Sequence, residues 1–73
     1  MKKAIYSKGQ RALVERLKRA REEAGLDQSQ AAQKLGTTQS YISKLESGQR
    51  RIDVIQLKEI AKIYKTRIED LIP

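Results

Sequence analysis

The 73-residue chain has no cysteine and no histidine, and only four glycines and one proline. The first two absences exclude disulfides, thiol chemistry, zinc fingers and histidine general-base catalysis. No nucleophile, base or ligand cluster converges elsewhere, so no catalytic residue, metal or cofactor is expected and the chain does not read as an enzyme. No apolar run approaches the length of a transmembrane helix or a signal-peptide core. Lys2 and Lys3 are followed only by Ala4-Ile5-Tyr6 before Ser7, Lys8 and Gly9, so no membrane partner is expected and the protein should stay where it is made. Sparse glycine and proline, with no repeat, low-complexity tract or linker, leave one uninterrupted domain over residues 8–73 behind a short N-terminal arm, residues 1–7.

What is present points to a partner of opposite charge. Sixteen Lys plus Arg against nine Asp plus Glu give a formal charge of +7, which favours a polyanion or an acidic surface. A chain this short buries a modest core and has no room for a separate sensor domain.

Apolar spacing predicts five helices and no strand. The first runs from about Lys8 to Ala24, with Ser7 as a cap, Leu13, Leu17, Ala20 and Ala24 at core spacing, and Gly25 closing it. Asp27 caps a second helix that ends at Leu35. Gly36 supplies the left-handed residue that ends it, and Thr37-Thr38 form a turn and a hydroxyl cap for the third helix, about 39–47. Asp53 caps a fourth, with Leu57, Ile60, Ala61 and Tyr64 as its buried stripe. Thr66-Arg67-Ile68-Glu69 reads as a capping box opening a last short helix with Ile68, Leu71 and Ile72 on its apolar side.

The segment from Gln28 to Ser47 is the most informative. Ala32, Gly36 and Ile42 are spaced so that a small residue lets two helices cross closely, a glycine makes the turn and a branched residue plugs the crossing, which is helix-turn-helix geometry. Ile42 and Leu45 face inward, whereas Gln39, Ser40, Ser43, Lys44 and Ser47 fall on the other side.

From Arg11 to about Ile72 the chain resembles the phage repressor and Cro family of helix-turn-helix proteins, the Xre family. The resemblance is carried by RLKRAREEAGLDQ with Arg21, Gly25, Leu26 and Gln28, by AAQKLG, by TTQSYISKLESG, and by LKEIAKIY with RIEDL behind it. Ala31 stands where the family usually has leucine, which thins the core, and Ile52 where it often has proline, which loosens the loop. The resemblance implies an all-α, compact five-helix orthogonal bundle of the lambda-repressor-like type. It further implies a sequence-specific regulator of transcription that binds double-stranded DNA, acts as a repressor and works in a bacterial or phage-infected cytoplasm.

By the same resemblance Gln39, Ser40 and Lys44 contact base edges, Gln28 contacts the DNA backbone, and Arg21 and Glu46 form an internal ion pair that orients the recognition helix. Chemistry agrees: a glutamine amide pairs bidentately with adenine N6 and N7, a lysine donates to guanine O6 and N7, and a serine serves either. Ser43 either reads a base likewise or keeps the helix slim enough for the groove. The N-terminus of the second helix, with Gln28, can receive a phosphate. Ser47-Gly48-Gln49-Arg50-Arg51 reads as a second phosphate clamp built on two arginines and free backbone amides. Tyr41 has two open readings, a hydroxyl on a phosphate or half-buried packing. Lys8, Arg11, Lys2 and Lys3 read as solvated charge or as added contacts from the arm.

One recognition helix reads few base pairs, so a homodimer on a palindromic operator is expected, with Ile55, Ile63, Ile68 and Ile72 as candidates for the self-association surface. The alternative function class is an antitoxin or adaptor module whose main partner is another protein, such as a toxin.

Overall fold

A computed structural model describes residues 8–73 of the protein. The arm over residues 1–7, the Ser7 cap and contacts from Lys2 and Lys3 lie outside the described residues. The described residues form five helices and no strand: α1 Lys8–Glu23, α2 Gln28–Leu35, α3 Gln39–Glu46, α4 Val54–Ile63 and α5 Ile68–Leu71. α2 packs on α3 and α4, and α1 packs on α3 and α5.

Helices α1 to α4 each end in one device. Gly25, Gly36, Gly48 and Lys65 hold positive φ, and the residue after each donates its N–H back to a carbonyl five positions earlier: Leu26 to Arg21 at 3.2 Å, and Thr37 to Ala32, Gln49 to Lys44 and Thr66 to Ala61 at 2.9 Å. This closure satisfies carbonyls that the helix itself leaves bare, and it requires a left-handed residue. Lys65, at φ 57°, is the one non-glycine that accepts it.

That closure overturns the expected capping box at α5. Thr66 belongs to the end of α4, so α5 starts after Arg67, which makes no side-chain cap bond. Asp27 and Asp53, by contrast, form complete capping boxes with Gln30 and Gln56.

Leu17, Ala20, Ala31, Leu45, Leu57, Ile60, Ala61, Tyr64 and Leu71 make the central core, and Val14, Ala32 and Ile42 are also buried. Leu71 and Ile42, each 1% exposed, contribute about 1.5–3 kcal/mol apiece by burial. The whole predicted stripe of α4 is buried. On α1 the buried face includes Val14 and Arg21, while Leu13 and Ala24 are only half-buried, so the helix is turned to aim Arg21 inward. Ala31 is 0% exposed, its small side chain wholly enclosed, and Ile52 packs against the core and so ties the loop before α4. Of the isoleucines expected at the surface, Ile55 and Ile72 are exposed, whereas Ile63 and Ile68 pack against the core. Val54 is exposed beside Ile55.

Candidate nucleic-acid interface

The helix pair is set by small residues and caps. Ala32 lies under the crossing at 3% exposure, Gly36 turns the chain at φ 71°, and Ile42 fills the space behind them. The Thr38 hydroxyl accepts from the Tyr41 N–H at 3.1 Å and starts α3 at Gln39. Ser47 ends it rather than extending it, its hydroxyl donating to the Lys44 carbonyl at 3.2 Å. Gln39, Ser40, Ser43 and Lys44 are all exposed, forming a polar surface free to enter a groove.

Behind that surface runs a continuous chain of charge-anchored hydrogen bonds. Arg21 Nε donates to Glu46 Oε2 at 2.7 Å and Nη2 donates to Oε1 at 3.1 Å, a bidentate pair, while Nη1 donates to the Leu26 carbonyl at 2.8 Å. Both charged side chains are under a tenth exposed. The hydrogen bond to Glu46 holds the guanidinium pKa above its ordinary value against the opposing effect of burial. Gln28 Nε2 donates to Glu46 Oε1 at 3.1 Å, and Gln28 Oε1 accepts from Gln39 Nε2 at 2.7 Å. The expected ion pair is therefore present, and through Gln28 it reaches the first residue of α3. The sequence joins Arg21 to Glu46 only by family resemblance and gives Gln28 and Gln39 separate roles on the DNA backbone and a base edge. The seven-residue spacing of Gln39 and Glu46 puts them on one edge of α3, and that was the available signal for their linkage.

Gln28 keeps one amide N–H beyond these two bonds, so a phosphate contact and the bridge are compatible. Tyr41 corrects one of its two readings. Its hydroxyl is buried without a hydrogen-bond partner and so is not presented to a phosphate, and its ring instead carries the Arg50 guanidinium at 4.8 Å from the centroid. The clamp after α3 also differs from expectation. The amides of Ser47, Gly48 and Gln49 already donate to carbonyls of α3, so of the expected clamp the exposed side chains of Arg50 and Arg51 are what is presented to solvent. Behind the site, burial pushes Tyr64 up to about 12, Glu46 adding to the shift and Arg21 opposing it. Among the described residues no group of three or more His, Cys, Asp or Glu could hold a metal ion.

A short polar helix held across a second one by a glycine turn, with arginines at its far end, defines a helix-turn-helix DNA-binding domain. The helix-turn-helix family model matches residues 17–71, and the chain belongs to this Xre/Cro/C1-like family. Solved structures of hydroxypropylphosphonic acid epoxidase from S. wedmorenis are similar: one aligns at TM-score 0.79 and 32% identity over 85% of this chain and 33% of that one. The same enzyme in complex with fosfomycin aligns at TM-score 0.82 and 29% identity, over 92% of this chain and 36% of that one. The chain thus spans about a third of the length of these structures. No match is found among curated proteins.

Proposed function

We propose that the protein is a sequence-specific repressor that inserts α3 into the major groove of double-stranded DNA, acting in the cytoplasm as a homodimer on a two-fold symmetric operator. The observation that carries this reading is the exposed set Gln39, Ser40, Ser43 and Lys44 on a helix whose angle is tied to the core through Arg21 and Glu46. Gln39 and Lys44 supply the base discrimination, at about 1–3 kcal/mol for each good bidentate pair. Gln28, Arg50 and Arg51 bracket the groove on phosphates and fix the register. The exposed pair Val54 and Ile55, at 60% and 63%, lies beyond the end of α3 and supports self-association there. Repression then follows from occupancy of the duplex, with no chemical step at this domain.

The test is selection from random duplexes by the purified protein, followed by titration of the enriched pool across salt. Enrichment of two half-sites about one helical turn apart supports the dimeric repressor. Binding without enrichment that vanishes as salt rises refutes base readout and transfers the function to a protein partner.

A further inference from the structure

We propose that Glu46 is a specificity-positioning residue: it sets which way round the Gln39 amide is presented and thereby selects adenine over guanine at the base pair Gln39 faces. The proposal rests on the reading of α3 as a base-reading helix. The oxygen and nitrogen ends of a carboxamide are nearly alike in shape, so packing alone does not orient one. Hydrogen bonding does, because one end only accepts and the other only donates.

The hydrogen-bond chain from Arg21 to Gln39 has a single consistent polarity. Glu46 is a carboxylate clamped by two bonds from Arg21 and offers only acceptors, so Gln28 must turn its nitrogen toward it, as it does at 3.1 Å. The Gln28 oxygen then faces outward and accepts only a donor, so Gln39 must turn its own nitrogen inward, as it does at 2.7 Å. Gln39 is left with one N–H and its oxygen. That pair matches adenine, whose major-groove edge offers the N7 acceptor and the N6 donor, and mismatches guanine, which offers N7 and O6, both acceptors. Reversing the chain would give Gln39 two free N–H groups, the complement of guanine. Only the negative charge at Glu46 forbids that reversal. In Glu46→Gln a side-chain nitrogen can donate to the Gln28 oxygen and the Gln28 nitrogen to the Gln39 oxygen. The reversed chain then closes at the loss of one bond, the one from Arg21 Nη2 to Oε1, while the oxygen of the new amide still accepts from Arg21 Nε.

The experiment measures the affinity ratio of duplexes that differ only as A·T or G·C at the position read by Gln39, identified as the one whose preference disappears in Gln39→Ala. The wild-type protein is expected to favour adenine there by roughly 5–150-fold. Glu46→Gln is expected to bring the ratio within about threefold or to invert it, while the preference at the position read by Lys44 persists. A purely structural role for Glu46 would instead weaken both duplexes alike. Gln28→Leu, which leaves the Arg21–Glu46 pair intact, frees the Gln39 amide to rotate and should lower the same ratio, so the test survives a Glu46 variant that fails to fold. Guanine preferred by the wild type, or an unchanged ratio in the folded variants, overturns the proposal while leaving base reading by α3 standing. If Gln39→Ala changes no position, or no sequence is preferred at all, the base-reading assignment itself falls and this proposal with it.

Discussion

Replacing Glu46 by alanine strands the Arg21 guanidinium in a setting where it is 7% exposed, with the Leu26 carbonyl as its remaining strong partner. Removing one member of a buried pair costs about 3–5 kcal/mol, because the surviving charge stays desolvated without compensation. A 73-residue domain has a total of roughly 4–11 kcal/mol at the usual stability per residue. Glu46→Ala is therefore expected to keep only a fraction of the wild-type stability, read as a large fall in the urea midpoint by circular dichroism. The informative companion is the double replacement Arg21→Met with Glu46→Leu, which removes both charges and fills the space. Its expected stability lies within about 2 kcal/mol of the wild type, since a buried ion pair gains little over apolar packing and the orphaned Leu26 carbonyl costs about 1 kcal/mol. Folded, that variant has still lost the anchor of the Gln28–Gln39 chain, so its base preference at Gln39 should collapse while attraction to phosphates remains. A Glu46→Ala protein that unfolds within about 1 kcal/mol of the wild type would refute the reasoning, because the guanidinium would then be shown to find water or another partner at no cost.

Three further outcomes are expected. Tyr64 keeps its proton up to about 12 in the native state, whereas an unfolded tyrosine releases it near 10, so the native state binds more protons in that window and stability falls as pH rises through it. Tyr64→Phe removes this loss and should gain about 1.4 kcal/mol on the wild type between pH 9 and 11; parallel stability curves would contradict it. Gly36→Ala, at φ 71° with open space around the added methyl, should cost about 1–2 kcal/mol from backbone strain alone, and Lys65→Gly at φ 57° should stabilise by a similar amount; both are read as shifts in thermal midpoint. Arg50→Ala and Arg51→Ala should each lower the slope of log affinity against log salt by about 0.9 and leave the selected sequence unchanged.

The helices and the apolar stripe of α4 were legible because each rests on local chemistry: an aspartate or threonine that caps, a glycine that turns, an apolar residue every third or fourth position. Three of the four left-handed closures announce themselves as glycine. Lys65 does not, and the start of α5 was misplaced by one residue for that reason. The exposed face of α3 and the Arg21–Glu46 pair were also within reach, the first by helical arithmetic and the second only through family resemblance. What local pattern does not carry is how side chains distant in sequence meet. Gln28 spanning Glu46 and Gln39, Arg50 lying over Tyr41, and the rotation of α1 toward Val14 and Arg21 are decided by the angles at which helices cross. Those angles are fixed collectively by the core.

The contact between α1 and α5 orders events in time. Arg16 on α1 donates to the carbonyls of Asp70 at 3.2 Å and Ile72 at 3.4 Å, and Leu71, 1% exposed, completes the core against which α1 lies. A chain emerging from the ribosome presents α2 and α3 long before Leu71 leaves the exit tunnel. Until then α1 lacks one wall of its packing, and the ion pair it carries has no rigid base from which to aim α3. A firm seat for α3 is thereby tied to α5 being in place, and a chain cut before Leu71 is expected to hold the Arg21–Glu46 pair and α3 less rigidly.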